Sequence, residues 1–192
     1  MALTKPTILP ALDRVAVPWK NGNGTTRQVA ISPATATIDN FDWRVSIATI
    51  SGDSPFSRFD GVSRWIMPLD PEGFTMRVEG ETTRLADREA FAFNGGSTVR
   101  AIKVRPGALD LSLMVRNETA KGSLLALVVQ DDTAIAAGPN ESVVIVVLEG
   151  SPSVDQTTLD ILDAIELPSG SDVVLTGDAV VAIARISNSE SQ

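Results

Sequence analysis

Short apolar or alternating segments follow one another along the chain, and clusters of Gly, Pro, Asn, Asp and Ser separate them roughly every 8 to 12 residues. This rhythm is typical of an all-β fold. The segments predicted as strands are 25–31, 42–50, 63–69, 74–79, 98–104, 109–116, 123–129, 142–148, 172–175 and 179–186.

One segment, residues 157–167, is compatible with either a helix or a strand. Leu159, Leu162 and Ile165 recur at a spacing of three, as on a helix face, but the other apolar residues of the segment also allow a strand. Because crossover helices do not separate the successive strands, the pattern favours an antiparallel sandwich or barrel over a parallel sheet.

The stretch DWRVSIATI predicts a strand with two different faces. With a period of two, one face carries Trp43, Val45 and Ile47, which form part of a core. The other face carries Arg44 and Ser46 beside small residues. This second face either points to water or lines a polar cavity, and the pattern alone leaves both open.

The stretch LDLSLMVR shows the same division. Leu111 and Leu113 share an apolar face, and the opposite face consists of Asp110, Ser112 and Met114. Again one face belongs to a core, and the mixed face points either to water or into a cavity.

The composition is that of a folded protein, with 43% of the 192 residues hydrophobic and 21% charged. This is enough for one globular unit or two small fused ones. The formal net charge is −8 and the sequence pI is about 4.5, whereas nucleic acids and anionic membranes attract clustered Lys and Arg. We therefore expect neither a nucleic acid nor a membrane as a partner.

Several features favour a cytoplasmic protein. The first residues, MALTKPTILPALDRV, lack the apolar core of a secretory signal, and the longest apolar run, residues 143–148, is too short to cross a bilayer. The chain contains no cysteine, so it has no disulfide framework.

The residue inventory excludes several kinds of active site. Without histidine, cysteine or tyrosine, the chain cannot form Ser–His or Cys–His catalytic pairs or histidine-based metal sites. A carboxylate metal site would need a loop of spaced acidic residues, and Asp131 and Asp132 are more simply interpreted as a solvated pair beside a turn. We expect no metal and no cofactor.

The stretch PWKNGNGTTR has the glycines of a phosphate-binding loop but lacks the Gly-Lys-Ser/Thr ending and the following helix. Lys20 has the chemistry for a Schiff base, yet a lone lysine beside a turn is more often solvated. The chemistry that remains is recognition, because arginines bind carboxylates through paired N–H groups and are joined by amides, hydroxyls and indole rings.

Four stretches of the chain together resemble the HutD/Ves family. PWKNGNGTT, FDWRVSIATI, SPFSRFDGVSRWIMPLD and DLSLMVRN occur in the order and spacing of the family patterns PWKNGGGTT, FDWRxSIA, GPFSxFPGxxR and DxNxM. The resemblance spans most of the first 117 residues. It implies a cupin-like double β-barrel (a bicupin) of the RmlC-like jelly-roll type, with halves expected at residues 1–118 and 119–192.

The family is associated with bacterial histidine utilisation, and the resemblance implies binding of a small pathway metabolite such as urocanate or formylglutamate. Ordinary cupins hold a metal with several histidines and a carboxylate, and this chain has no histidine. The resemblance and the inventory together predict a metal-free cupin-like protein that binds a small carboxylate through hydrogen bonds and charge.

The chain departs from the family patterns at four positions. Asn23 and Ser54 stand in place of glycine, Asp60 in place of proline and Ser112 in place of asparagine. Asparagine tolerates a positive φ better than most residues, so Asn23 is expected to preserve its turn. Ser112 keeps a hydrogen-bonding group but loses the amide donor, which puts the family's ligand specificity in question here.

With this resemblance, the mixed faces of the two strands are expected to line the ligand pocket. Arg44 is predicted to bind the ligand carboxylate, Lys20 and Arg64 to supply supporting charge, and Asp110 to accept from and orient an arginine. Trp43 and Phe56 are assigned to the core beneath the pocket. The residues predicted to bind the ligand are Trp19, Lys20, Asn21, Thr25, Arg44, Ser46, Ser57, Arg64, Asp110, Ser112 and Met114.

We expect binding rather than catalysis, but two other classes of function stay open. One is a lyase or isomerase that uses Lys20 or Asp110 as an acid or base, which prolonged incubation with a candidate metabolite would reveal. The other is a structural or interaction module with a vestigial barrel, recognisable by a filled apolar cavity and an exposed hydrophobic patch. The sequence also leaves a homodimer open.

Overall fold

The structure, a computed structural model, describes residues 5–19 and 21–188, and their regular secondary structure is β-strand apart from one 3₁₀-helix at Ala11–Asp13. The predicted all-β fold is confirmed. Residues 157–167, which are compatible with a helix or a strand by sequence, contain two short strands and a turn.

The chain divides into two compact units. One consists of Val15–Ala120, and the other combines the described residues up to Arg14 with those from Lys121 onward. Each unit contains two antiparallel sheets. The strands β1–β19 are numbered in chain order, and their spatial order within each sheet differs from it.

The first unit has a six-stranded and a four-stranded sheet. The larger sheet consists of β2 (Ala16–Pro18), β3 (Gly24–Ser32), β4 (Trp43–Ile50), β11 (Ala108–Arg116), β6 (Val62–Pro68) and β9 (Phe91–Asn94). The smaller sheet consists of β5 (Ser54–Pro55), β10 (Val99–Ile102), β7 (Phe74–Val78) and β8 (Glu81–Leu85).

The second unit has a five-stranded and a four-stranded sheet. The larger sheet consists of β1 (Thr7–Leu9), β17 (Ala164–Leu167), β14 (Glu141–Gly150), β19 (Ala179–Asn188) and β12 (Ala120–Val129). The smaller sheet consists of β13 (Asp132–Ala136), β18 (Asp172–Thr176), β15 (Ser153–Val154) and β16 (Thr157–Thr158).

Residues 5–14 belong to the same unit as the C-terminal part of the sequence, whereas the predicted division at residue 118 places them in the N-terminal half. β1 pairs antiparallel with β17, and Arg14 donates hydrogen bonds to the carbonyl oxygens of Leu162 and Leu9 at 2.7 and 2.8 Å. These contacts place the segment with the C-terminal half of the sequence. A three-residue strand shows no periodicity, so its pattern does not reveal this partner.

Each predicted strand has a counterpart in the structure, with ends that differ by a few residues. The strands that the pattern missed are short. β5 and β16, for example, have two residues each, which is too few for an alternation to show.

The interiors of the two units differ in character. The second unit is filled by an apolar cluster of Val129, Ile135, Ala137, Val143, Ile145, Val147, Val154, Leu159, Ile165, Leu167, Val173, Leu175, Ala179, Val181 and Ile183. In the first unit, an apolar cluster of Ile50, Ile66, Phe74, Met76, Leu85, Val99, Ala101, Val104 and Ala108 occupies only part of the space between the sheets. A second apolar cluster of Phe41, Val62 and Met114 lies in the same unit, and the candidate site is a cavity with both polar and apolar lining residues.

Candidate functional site

The inner face of β4 changes from apolar to polar along the strand. Ile50 is completely buried in the apolar cluster of the first unit. Ala48, Ser46 and Arg44 follow it on the same face, because alternate residues of a strand point to the same side. The opposite face is buried as well, and Trp43 on that face is only 3% exposed. The predicted burial of Trp43 is confirmed.

Antiparallel pairing aligns the inner faces of β4, β11 and β6 into rows. The outermost row contains Arg44, Met114 and Arg64; the next contains Ser46, Ser112 and Ile66; and the third contains Ala48, Asp110 and Pro68. The arginine row lies farthest from Ile50 and its apolar cluster, so the positive charges of these strands lie at one end of the inner face.

These rows line one side of a cavity of about 610 Å³, a size that suits a small metabolite. The side chains that line it belong to Val15, Val17, Pro18, Trp19, Asn21, Thr26, Gln28, Ile38, Asp39, Arg44, Ser46, Ala48, Pro55, Phe56, Ser57, Arg58, Phe59, Arg64, Asp110, Ser112 and Met114. All of them belong to the first unit.

The guanidinium group of Arg64 lies in an aromatic enclosure. Its Cζ is 5.3, 5.6 and 5.0 Å from the ring centroids of Phe56, Phe59 and Phe93, distances at which a cation is attracted to a ring face. Nη1 donates a hydrogen bond of 2.9 Å to the carbonyl oxygen of Ser57. Nε is buried and has no hydrogen-bond partner among the residues that the structure describes.

The pKa of Arg64 is lower than that of an arginine in water. Burial lowers its pKa to about 10; the charge of Asp110 opposes this shift, and the positive charge of Arg44 adds to it. At neutral pH the guanidinium still carries its charge, but it does so at a desolvated position.

Arg44 is the second cation in the outermost row. Its Nε donates a hydrogen bond of 3.2 Å to Oε1 of Gln28, and burial lowers its pKa. Among residues 5–19 and 21–188, neither Arg44 nor Arg64 forms an ion pair with a carboxylate. The cavity therefore contains two partly desolvated positive charges on either side of Met114.

Asp110 is fully buried, and its two carboxyl oxygens differ. Oδ1 accepts a hydrogen bond of 3.0 Å from Oγ of Ser112, whereas Oδ2 has no partner within the described part of the chain. Burial raises the pKa of Asp110 to about 7, and the Ser112 hydrogen bond and the charge of Arg64 only partly counteract this rise. Within the described part of the chain the carbonyl oxygen of Ser57 accepts the hydrogen bond of Arg64, and Asp110 interacts with Arg64 through charge; the predicted role of Asp110 as the acceptor that orients an arginine stays a prediction.

The turn after β2 places Trp19 against the cavity. The backbone N–H of Trp19 donates to the carbonyl oxygen of Gly24 at 2.9 Å, and its Nε1 donates to Oγ1 of Thr26 at 2.7 Å. The positive φ of this turn belongs to Gly22, at 73°, and not to Asn23 or Gly24. Gly24 is required for a different reason, because a Cβ atom there would lie 2.5 Å from a backbone oxygen of Thr49.

The structure brings most of the predicted ligand-binding residues together. Those that line the cavity are Trp19, Asn21, Arg44, Ser46, Ser57, Arg64, Asp110, Ser112 and Met114. Their contact with a ligand stays a prediction. The amide of Asn21 makes contacts within the protein, since Nδ2 lies 3.4 Å from Oγ of Ser54 and Oδ1 accepts from the backbone N–H of Asn23.

Lys20, predicted to supply supporting charge, lies outside the described residues. Thr25 is a predicted residue that is described but does not line the cavity. Thr25 is replaced in the lining by its neighbour Thr26; because side chains alternate along β3, these two threonines point to opposite faces. Phe56, assigned to the core beneath the pocket, is half-buried: it packs against the apolar cluster and also lines the cavity.

The sequence pattern missed several lining residues. Thr26 and Gln28 lie on the same face of β3. Counting alternate residues from Gly24, the first residue of the strand, places both on that face. The pattern also missed β9 and with it Phe93, which does not line the cavity but contacts Arg64, its partner in register. Arg58, Asp39 and Ile38 come from loops, for which no periodicity exists.

The donor set of the cavity does not suit a transition metal. The carboxylates that line it belong to Asp39 and Asp110, imidazole and thiolate groups are absent from the sequence, and three arginines share the space. No group of three or more acidic side chains placed to hold a metal occurs within the described ranges. The structure also contains, in those ranges, no helix long and apolar enough to span a membrane.

Comparison with known proteins gives a match to the HutD family model over residues 11–188. A 21.2 kDa protein of Pseudomonas putida, described by its position in the hutC 3′ region, is 39% identical over 109 residues, which are 56% of each chain. Protein Ves of Citrobacter koseri is 38% identical over 133 residues, covering 67% of this chain and 66% of Ves. The matches thus span less than two thirds of the length of either curated relative.

Solved structures match over nearly the whole chain. A conserved protein of unknown function from Pseudomonas aeruginosa PAO1 has a TM-score of 0.85 and 27% identity, covering 96% of this chain and 100% of the other. HutD from Pseudomonas fluorescens SBW25, in a formate condition, has a TM-score of 0.82 and 26% identity, with coverages of 96% and 99%.

The fold extends to more distant proteins. Salicylate 1,2-dioxygenase from Pseudoaminobacter salicylatoxidans, in complex with gentisate, has a TM-score of 0.65 and 11% identity, covering 97% of this chain and 84% of the other. At this identity the likeness shows the fold alone, which is that of the cupins.

Proposed function

Because the chain belongs to the HutD family, we propose that its first barrel binds a small carboxylate metabolite. The observation that carries this proposal is the outermost row of the cavity, where Arg44 and Arg64 lie on either side of Met114. Two like charges at desolvated positions repel each other, and an anion between them would relieve both that repulsion and the loss of hydration.

The shape and chemistry of the cavity suit a small organic anion. Trp19, Phe56 and Phe59 form an apolar part of the wall. Hydroxyl and amide groups elsewhere in the lining can form hydrogen bonds with a ligand. Arginine binds carboxylates through paired N–H groups, and the Nε atom of Arg64 has no partner among the described residues. A ligand carboxylate would supply the missing acceptor.

The relatives support a link with histidine utilisation. One is described by its place in the hutC 3′ region and another is HutD itself. We propose that the bound metabolite belongs to this catabolism, with urocanate and formylglutamate as candidates, and that binding modulates the use of histidine.

The test is calorimetric titration of urocanate and formylglutamate into the wild-type protein and Arg44→Ala. We expect the variant to weaken binding of the tighter ligand by about 2–4 kcal/mol, the size of a charge-assisted contact in a partly buried site. Its melting temperature is expected to stay nearly unchanged.

The matched control is Arg100→Ala, which removes an exposed arginine on β10, outside the cavity. This variant is expected to bind as the wild type does. Equal affinity in wild-type and Arg44→Ala protein would place the anion elsewhere, and an absence of binding for both metabolites would contradict them as ligands.

We further propose that binding needs no metal. The donor set described above contains carboxylates beside arginines and no imidazole. We expect ligand affinity to be the same before and after dialysis against a chelator, and elemental analysis to find no transition metal at one per chain. A loss of affinity that added metal restores would contradict this proposal.

Acid–base catalysis by Asp110 is the second candidate function. A fully buried carboxyl with a pKa near 7 can both take and give a proton at neutral pH. If it is a catalyst, a candidate metabolite will change chemically during incubation with the protein, and Asp110→Asn will abolish the change while binding persists. An unchanged metabolite after prolonged incubation speaks for binding alone.

A further inference from the structure

Asp110 lines the cavity, and one of its buried carboxyl oxygens is an unsatisfied acceptor. Oδ1 accepts from Ser112, and Oδ2 has no partner in the described structure. A buried polar atom without a hydrogen bond destabilises a protein by the desolvation free energy of that group, so such atoms are rare and require an explanation. Arg64 does not provide one: its charge acts on Asp110, but its guanidinium donates its hydrogen bond to the carbonyl oxygen of Ser57 and not to Oδ2.

The charges around Asp110 limit what its partner can be. The charged groups that share the cavity with it are Arg44 on β4, Arg64 on β6, Arg58 in the segment after β5 and Asp39 in the loop before β4. With Asp110 ionised, the described lining has one surplus positive charge, which suits a ligand with a single negative charge. With Asp110 protonated it has two, which suits a dianion.

We propose that Asp110 is a specificity-determining residue that accepts a hydrogen bond from an N–H group of the ligand, so that the pocket selects small monoanions that carry both a carboxylate and an N–H donor. This inference rests on the proposed function, since the carboxylate of the same ligand binds at Arg44 and Arg64. Ser112 donates to Oδ1 of Asp110, so Oδ2 is the oxygen that accepts from the ligand.

The geometry favours a donor on the ligand over an acceptor. The hydroxyl of Ser112 and the positive charge of Arg64 both stabilise the ionised carboxylate, which accepts hydrogen bonds and donates none. Desolvation opposes ionisation while the carboxylate lacks a second partner. An N–H group on Oδ2 supplies that partner.

Two probes of the same size and charge test the inference. Pyrrole-2-carboxylate and furan-2-carboxylate are both monoanions with a five-membered ring, but the first has a ring N–H donor where the second has an oxygen. We expect the wild-type protein to bind the pyrrole compound at least about tenfold more tightly, because a buried acceptor discriminates against an analogue that lacks the donor. In Asp110→Ala the preference is expected to fall to within about twofold, with the affinity for the furan compound unchanged.

The pH dependence gives an independent readout, and Asp110→Asn serves as its control. The pyrrole compound binds the ionised form of a group whose pKa is about 7, so its dissociation constant should fall about tenfold between pH 6 and pH 8. The furan compound should show no such tightening. In Asp110→Asn, which keeps the shape of the side chain but does not titrate, the affinity for the pyrrole compound should be flat over this range.

The outcomes separate this inference from the proposed function. Equal binding of both probes to the wild-type protein overturns the role of Asp110 and leaves carboxylate binding intact. Binding that weakens as the pH rises shows that Asp110 binds as the protonated acid, which also overturns the inference. A lack of binding by both probes, together with urocanate and formylglutamate, overturns the proposed function and the inference with it.

Discussion

Ser112 donates a hydrogen bond of 3.0 Å to Oδ1 of Asp110, and the two residues are 7% and 0% exposed. They lie on the same face of β11, two residues apart. The serine donates to one carboxyl oxygen and does not reach the other. Burial favours the protonated form of Asp110, whereas Ser112 and the charge of Arg64 favour the ionised form.

This balance predicts how stability depends on pH. The pKa of Asp110 is about 7 in the folded protein, against an ordinary value of 3.8, so between these values the folded state holds a proton that the unfolded chain has released. The free energy of unfolding should therefore decrease as the pH rises from about 4 to about 7, by at most about 4 kcal/mol from this group.

Asp110→Asn isolates this contribution in denaturant titrations at pH 5 and pH 8. Glu166, whose pKa burial also raises, adds a slope of the same sign to both proteins and cancels in the comparison. The wild type should lose more stability than the variant between the two pH values. Parallel curves would show that Asp110 is not titrating in this range.

Arg64→Met should separate stability from function. It removes a buried guanidinium whose Nε is unpartnered in the described structure and which lies near the positive charge of Arg44, and it keeps an apolar chain among the phenylalanine rings. Replacing such a charge with an apolar group is often neutral or stabilising. We expect a free energy of unfolding within about 1 kcal/mol of the wild type or above it, together with loss of carboxylate binding in calorimetry. Strong destabilisation would indicate that the enclosure depends on the cation.

Gly24→Ala should disturb the wall of the cavity. The new Cβ would lie 2.5 Å from a backbone oxygen of Thr49 and 3.0 Å from the ring of Trp19, and overpacking of this kind destabilises by about 1–3 kcal/mol. Thermal unfolding measures the effect. Gly138→Ala is the control, since a Cβ there meets its nearest neighbour at an ordinary 3.6 Å; equal effects of the two substitutions would contradict the close contact at Gly24.

Trp43→Ala should be among the more destabilising single substitutions in the first unit. The indole is 3% exposed, and truncation of a buried aromatic side chain to alanine costs about 3–5 kcal/mol. A denaturant titration checks this value against Leu12→Ala, where the side chain is 96% exposed and little change is expected. A mild effect at Trp43 would mean that this face of β4 is accessible in solution.

The sequence pattern predicted the inner faces of β4 and β11 because alternation is a local property. It did not distinguish cavity from solvent, since an arginine and a serine beside small residues suit both environments. That distinction depends on Phe93, which β9 brings to Arg64 across the sheet, and on loops that carry no periodicity. Both are long-range features that no local window contains.

The prediction of Thr25 as a ligand-binding residue rests on its place beside the PWKNGNG turn and not on an alternation along β3. Its neighbour Thr26 lines the cavity, because adjacent residues of a strand point to opposite faces. The pairing of β1 with β17 joins segments more than 150 residues apart. Three residues contain too little pattern to show such a partner.

The position of Trp19 gives the protein an optical signal of its own. The chain has three tryptophans and no tyrosine; Trp43 is buried on the other face of β4, and Trp65 alternates with Arg64 on β6 and so points away from the cavity. Trp19 is the tryptophan that lines the cavity. Intrinsic fluorescence should therefore change when a ligand enters the cavity. A Trp19→Phe variant should bind the ligand without this change in fluorescence. Ligands can thus be screened without any label.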